Sequence, residues 1–202
     1  MSSIKLTANS GGGTFEIKAP SSGSNPRILN VPDENGTLLT SATSTGKVLQ
    51  IVSTTKNDQY TETISNGAQS SNNITGLTVS ITPSNASNKI FLSCTLSISG
   101  DNIGFNFFKD GSVLSGATGD ADGTKKRVFG EAYTGNYRMM ARTFTFLDTA
   151  GGTSAITYSV RLQNTSTFNN FIAVNTNVSG RSAVNGYDMV GASTITAMEV
   201  AA

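Results

Sequence analysis

The sequence predicts an all-β protein, an antiparallel β-sandwich of the jelly-roll type, on three observations. The polar residues are mostly Ser, Thr, Asn and Gly, and charged residues make up only 13% of the 202 residues. Because exposed helices normally use Glu, Lys, Arg, Gln and Ala, this composition favours strands and turns. About eight short stretches alternate apolar and polar residues, with turn residues between them. The chain has no Trp and one Cys, which favours a jelly roll over an immunoglobulin-type sandwich.

The clearest of these stretches is residues 74–99, which predicts two strands around a polar turn. Residues 77–81 alternate apolar and hydroxyl side chains, the period of a strand with one buried face. Residues 83–88 supply the turn chemistry of Pro, Ser and Asn. Residues 90–98 then place apolar side chains on one face and mostly hydroxyl side chains on the other. We expect the rest of the chain to pack on this pair, with the hydroxyl face toward water or a partner chain.

Further strands are expected before and after this pair. Asp110-Gly111 between two apolar stretches predicts a hairpin turn, because both residues tolerate the positive φ of that turn. Cys94 lies on the apolar face of its strand and is expected to be a buried hydrophobic residue. The other predicted strands are residues 47–55, 60–64, 103–109, 125–133, 138–147, 156–162, 171–174 and 194–200.

The chain is expected to have two parts joined by a hinge. Residues 1–41 form an extended unit punctuated by Gly and Pro, residues 42–46 are a hinge of small residues, and residues 47–202 form the sandwich. Segments of about 40 residues rarely bury enough apolar surface to fold alone. We therefore expect residues 1–41 to gain order mainly by association with other copies of the chain.

The N-terminal part resembles the collar segment of tailed-phage fibre and appendage proteins, especially those of marine phages and cyanophages. The resemblance covers about the first fifth of the chain. It implies homotrimers in which short strands wind about a three-fold axis, and a role in anchoring the chain to the particle. The residues that match the pattern are Ala19, Pro20, Asn25, Ile28, Val31, Pro32, Asp33, Gly36, Thr37 and Leu38. The residues expected to form the anchoring segment are Phe15, Ile17, Ile28, Val31 and Leu38.

Most of residues 47–202 resemble the C-terminal domain of the same appendage proteins, which is similar in outline to trimeric C1q/TNF-like jelly rolls. This second resemblance implies a homotrimer with its sandwich facing outward. The elements that support it are residues 74–77, 81–83, 87–90, Asp148, residues 157–158 and residues 193–199.

Residue types that commonly perform catalysis are scarce. The chain has no His, which removes the commonest general base and zinc ligand. Asp120, Asp122 and Glu131 have part of the spacing of a calcium loop, but Lys125 occupies the position that requires Gly. We therefore expect no catalytic residue, no cofactor and no metal. A glycosidase that uses two loop carboxylates is the last alternative.

Aromatic residues beside Asn and Arg suggest contacts with a receptor. Rings of this kind stack on sugars, while amides and guanidinium groups hydrogen-bond to them. The alternative is that the same rings fill a trimer axis or cap the core. The candidate contact residues are Tyr133, Asn136, Tyr137, Arg181 and Tyr187.

Charge and hydropathy limit the partners. The net charge is +1, so nothing favours nucleic acid. No apolar run approaches the roughly 20 residues that span a bilayer, and residues 1–13 lack the features of a signal peptide, so we expect neither membrane insertion nor secretion. The expected location is the phage particle, after synthesis in the bacterial cytoplasm.

These observations favour a non-enzymatic virion protein, a homotrimeric tail fibre or appendage that contacts the host surface. The expected partners are other copies of the chain, other virion proteins, and a host surface glycan or protein. A trimer that decorates the capsid is the first alternative. A free carbohydrate-binding module, from a different class, is the second.

Overall fold

A computed structural model describes residues 3–7, 14–18, 48–165, 171–177 and 189–202. For residues 3–7, 14–18 and 135–137 it describes the backbone alone. The chain divides into two compact units, residues 1–40 and residues 41–202. In the first unit, β1 (Ser3–Thr7) and β2 (Thr14–Lys18) form an antiparallel two-stranded sheet. The register pairs Ile4 with Ile17 and Leu6 with Phe15, so these four positions share one face of the hairpin.

The second unit is built of strands, which confirms the all-β prediction. Its one described helical element is a 3₁₀ turn at Ser115–Ala117. The strands are β3 (Val48–Lys56), β4 (Tyr60–Thr63), β5 (Thr78–Ile81), β6 (Lys89–Gly100), β7 (Ile103–Lys109), β8 (Ser112–Val113), β9 (Gly130–Ala132), β10 (Gly135–Thr149), β11 (Ile156–Asn164), β12 (Phe171–Val174) and β13 (Ser193–Val200).

The strands form two antiparallel sheets. The first sheet has the order β3-β13-β6-β12-β4, with β10 paired to the other edge of β6. The second sheet has the order β5-β11-β7-β8, and β9 also pairs with β7. Early strands therefore pair with late ones: β3 with β13, β5 with β11, and β6 with β10.

The core lies between the inner faces of the two sheets. From Ile90 to Ile98, every second residue of β6 is completely buried, as the alternating pattern predicts. Cys94 is one of them, and burial raises the pKa of its thiol above the usual range. From the second sheet, Phe105 stacks on Phe144 of β10 with ring centroids 4.3 Å apart. These aromatic rings and the aliphatic side chains around them form one apolar core between the sheets.

The prediction that residues 74–99 form a pair of adjacent strands is wrong in one respect. Both strands exist, but β5 belongs to the second sheet and pairs with β11, whereas β6 belongs to the first sheet. Residues 82–88 therefore cross from one sheet to the other. The buried residues of β5 and β6 consequently face each other across the core instead of lying side by side.

Other strands match their predictions with changes at the ends. The Asp110-Gly111 hairpin is confirmed: Lys109 pairs with Ser112, and the two turn residues have φ values of 49° and 80°. The strand predicted at 125–133 is reduced to the three residues of β9. The strand predicted to begin at Arg138 begins instead at Gly135.

Polar contacts join the two sheets at one end of the sandwich. Lys109 on β7 donates to the carboxylate of Asp148 on β10 at 2.8 Å, and the hydroxyl of Tyr158 on β11 donates to the same carboxylate at 2.7 Å. Charge-assisted hydrogen bonds of this kind are shorter and stronger than neutral ones. The contacts therefore fix β10, an edge strand of the first sheet, to the centre of the second.

Candidate functional site

The outer face of the first sheet contains a regular surface that the described residues leave uncovered. Four strands form it, and their register aligns the side chains in rows across the sheet. One row is apolar and consists of Ile51, Met198, Phe91 and Leu147 on β3, β13, β6 and β10. Directly paired side chains on adjacent antiparallel strands lie about 5 Å apart, so these four form a continuous apolar stripe.

The ends of this apolar row are widely exposed. Ile51 is 58% exposed and Leu147 is 54% exposed. Val48 and Leu49, at the start of the same edge strand, are 50% and 44% exposed. Contiguous apolar patches on a protein surface mark contacts with other molecules, whereas single exposed apolar residues do not. The apolar row is therefore the part of this face best suited to contact another molecule.

Two hydroxyl rows lie beside the apolar row on the same face. The hydroxyl groups of Ser53 and Thr196 are 2.8 Å apart, as are those of Thr95 and Thr143. Short hydroxyl side chains lose little conformational freedom when they are covered, and they can donate or accept. The first row is Ser53, Thr196, Ser93 and Thr145, and the second is Thr55, Thr194, Thr95 and Thr143.

No charged residue belongs to these three rows. A partner can cover them without removing water from an ion, which is the most expensive part of burying a polar surface. The face therefore suits a second uncharged protein surface with its own apolar and hydroxyl groups.

A buried carboxylate near the end of β13 hydrogen-bonds to β3 and to the segment that crosses between the sheets. Glu199 is fully buried and accepts hydrogen bonds from Gln50 on β3 at 2.6 Å and Asn88 at 2.7 Å. The backbone N–H and the hydroxyl of Ser84 also donate to it, at 2.7 and 2.8 Å. Burial raises the pKa of Glu199, but the hydrogen bonds outweigh it and lower the pKa to about 2. Glu199 thus ties the last strand to the crossing between the sheets.

Three of the five predicted receptor contacts lie in or near the start of β10. Tyr133 lies between β9 and β10 and is 65% exposed. Asn136 and Tyr137 lie within β10 and not in the loop that the sequence suggested. Arg181 and Tyr187 lie outside the described residues. A receptor contact formed by these five residues therefore stays a prediction.

Two of the predicted anchoring residues are located. Phe15 and Ile17 lie on β2, opposite Leu6 and Ile4 of β1. Ile28, Val31 and Leu38 lie outside the described residues. The hairpin of the first unit thus has a register that places apolar residues together on one face.

Two of the three carboxylates considered for calcium have other partners. Asp122 is paired with Lys125, and Glu131 accepts from the hydroxyl of Thr165 at 2.8 Å. Within the described part of the chain, no cluster of three His, Cys, Asp or Glu could hold a metal ion.

The sequence interpretation recognised the hydroxyl face of β6 but missed the rows that cross four strands. Their signal was present, because β3, β10 and β13 each alternate in the same way. Only the register brings Ile51 and Leu147 into one row, and register between distant strands is not visible in a single sequence. Glu199 was missed for the same reason, since its partners Ser84 and Asn88 precede it by more than 100 residues.

Comparison with known proteins adds no assignment. No family model matches the sequence, and no curated protein matches it at a significant level. Among the described residues, no helix is long and apolar enough to cross a membrane.

Proposed function

We propose that the chain is a non-enzymatic structural protein of a tailed-phage particle, where it assembles as a homotrimer. In this proposal the N-terminal unit attaches the trimer to the particle, and the sandwich faces the host surface. The observation that carries the proposal is the uncovered outer face of the first sheet, with its apolar row beside two hydroxyl rows. The resemblance to phage appendage proteins is the reason for proposing a phage particle as the location.

The strand pairing supports a jelly roll as the fold of the sandwich. In a jelly roll, an antiparallel ribbon is folded across two sheets so that early strands pair with late ones. Here β3 pairs with β13, β5 with β11, and β6 with β10, while β7 pairs with the short strands β8 and β9 that follow it. Sheet membership also alternates from β4 to β5, β6 and β7.

The exposed apolar row supports self-association. Leaving Ile51 and Leu147 more than half exposed is unfavourable in water. Burying a contiguous apolar row against another copy recovers this free energy at roughly 25 cal/mol per Å². The three rows contain no charged residue, so they can meet the same rows of another copy without like-charge repulsion. Among the described residues, Lys89 in the next row of β6 is the nearest charge on this face.

The N-terminal hairpin supports association in a second way. A single two-stranded sheet is marginally stable in water and needs a further layer on its apolar face. The face that contains Ile4, Leu6, Phe15 and Ile17 fits such a layer. In a trimer, the hairpins of two other copies would provide it.

The experiment is light scattering coupled to size-exclusion chromatography at micromolar concentration. The wild-type chain is expected at three times the monomer mass. Leu147→Arg should shift it toward the monomer, because it places a charge in the apolar row at a position that is 54% exposed in one copy. Val113→Arg is the matched control: Val113 is 44% exposed on β8 of the second sheet, and the change should leave the mass unaltered. A monomeric wild-type chain would overturn the proposal.

Imaging of particles with a labelled chain tests the phage setting. Label at the tail supports an appendage, whereas label on the capsid supports the alternative of a decoration trimer. A chain that is missing from purified particles but binds glycans would support a free carbohydrate-binding module and overturn the virion assignment.

A further inference from the structure

The outer face of the second sheet contains an arginine that is oriented by its neighbours but has no ion-pair partner among the described residues. The guanidinium of Arg161, on β11, stacks over the ring of Phe108 on β7, with 4.2 Å between the guanidinium carbon and the ring centroid. Its Nε donates to Oδ1 of Asn73 at 2.8 Å. Phe108 is only 6% exposed, so the stacking holds the guanidinium plane against a packed surface.

The terminal nitrogens of Arg161 have no acceptor among the described residues. Arg161 makes no other hydrogen bond and no ion pair there. A guanidinium has five N–H groups, and the bond to Asn73 uses one of them. The two terminal nitrogens therefore keep four N–H groups in the fork that matches a carboxylate.

Asn73 adds further donors beside this fork. Its Oδ1 accepts from Arg161 Nε and from the hydroxyl of Ser159 at 3.0 Å. Because Nε can only donate, the oxygen of the amide must face it, and this fixes the orientation of Nδ2. Within the described chain, Nδ2 has no acceptor. The site thus consists of oriented donors, and a negatively charged acceptor is the group that completes it.

Neutral hydroxyl groups continue along the same face. Thr157, Ser159 and Arg161 alternate on one side of β11, about 6.8 Å from one to the next. Ser159 is only 2% exposed and its hydroxyl donates to Asn73, so the exposed hydroxyl group on this strand is that of Thr157. Thr157 is paired by its hydroxyl with Ser80 of β5 at 2.8 Å, on an exposed part of the face. A carboxylate at Arg161 would therefore place the rest of its ligand over hydroxyl groups. The hydroxyl groups of a sugar can both donate to and accept from such side chains.

We propose that Arg161 and Asn73 bind the carboxylate of an acidic sugar, with Thr157 and Ser80 positioned to contact the hydroxyl groups of the sugar. Covering Phe108 alone does not require this arrangement, because the methylenes of a lysine could cover the ring without a fork. All of the named residues belong to one copy of the chain. The proposal therefore holds whether or not the chain assembles, and a monomeric protein would not affect it.

The test is titration of the full-length protein with glucuronate, galacturonate and N-acetylneuraminate, followed by NMR of the arginine Nε–H signals. Glucose, galactose, N-acetylglucosamine and inorganic phosphate are the comparison ligands. At least one acidic sugar should shift the Arg161 signal in a saturable way, and the neutral sugars should not. Failure of all three acidic sugars overturns the proposal, and phosphate binding of equal affinity overturns the assignment to a sugar.

Asn73→Asp is the sharpest variant. It keeps an oxygen acceptor for Arg161 and Ser159 but replaces Nδ2 by a negatively charged oxygen beside the fork. Affinity for the acidic sugar should fall at least about tenfold, since charge-assisted hydrogen bonds are lost and repulsion is added. The thermal unfolding temperature should stay the same or rise. Unchanged affinity would contradict the proposal.

Two further variants complete the comparison. Arg161→Lys keeps the charge but removes the fork, and it should also weaken binding about tenfold. Asn57→Asp makes the same charge change at an exposed position between β3 and β4 and should leave affinity unaltered. Equal losses in Asn73→Asp and Asn57→Asp would assign the effect to net charge and overturn the site.

Discussion

The outer faces of the two sheets differ in what covers them. On the second sheet, Asn106 is 1% exposed, and its side chain accepts from the N–H of Phe129 at 2.8 Å and donates to the carbonyl of Arg127 at 3.2 Å. Loops of the same chain thus cover part of that face. On the first sheet, Ile51 and Leu147 stay more than half exposed. Among the described residues, loops therefore shield part of the second sheet, whereas the apolar row of the first sheet stays open at both ends.

The largest expected effect compares one phenylalanine on each outer face. In the Leu147→Arg chain, which should be monomeric, Phe108→Ala is expected to lower the free energy of unfolding by about 3 kcal/mol. Phe108 is nearly buried under Arg161, so its removal leaves a cavity. Phe91→Ala, at a partly buried position of the first sheet, should cost about 1 kcal/mol. Urea unfolding measures both, and equal losses would show that the faces are covered alike.

The second effect is the pH dependence of stability that Glu199 causes at the end of the sandwich, where the crossing segment joins the two sheets. Because the folded-state pKa of Glu199 is lowered from 4.5 to about 2, its carboxylate stabilises the fold fully above pH 4.5. That stability is lost as the pH falls from 4.5 through about 2, where the folded protein also takes up the proton.

A comparison with Glu199→Gln isolates this contribution. The variant should be less stable than the wild type at pH 7, since an amide nitrogen replaces one acceptor, and the difference should shrink toward pH 2. Unfolding midpoints measured across this range provide the check. A difference that does not change with pH would mean that the charge of Glu199 is not what holds β13 to the crossing.

The smallest expected effect is on the hydroxyl rows. Replacing both members of a hydrogen-bonded pair with apolar residues of the same shape is nearly neutral. The double change Thr95→Val and Thr143→Val, on a pair 2.8 Å apart, should alter the stability of the monomer by less than about 0.5 kcal/mol. It should nevertheless change the dissociation constant of the trimer, measured by dilution. No change in that constant would show that this part of the face is not covered.

The positions of the strands could be predicted because burial leaves a local signal. In β6 and β11, every second residue packs into the core, so the alternation is visible in a short window. The Asp110-Gly111 turn was predictable for a similar reason, since two consecutive positive φ values require particular residues.

The pairing of the strands could not be predicted in the same way. The turn at residues 82–88 has the same chemistry whether it joins neighbours in one sheet or crosses between sheets. Alternation shows which face of β5 is buried but not which strand lies beside it. Arg161 and Asn73 are 88 residues apart in sequence, and neither residue type is unusual in its own segment.

The pairing of β3 with β13 has a consequence for how the protein is made. A ribosome adds about 5–20 residues per second, so β3 waits roughly 7 s or more for the strand that completes it. Until then, β3 can pack on β5, but among the described residues it has no strand to pair with along its edge. During this interval the unpaired edge of β3 is exposed and can pair with a strand of another chain. Chains translated from the same message are the nearest source of such incorrect pairing.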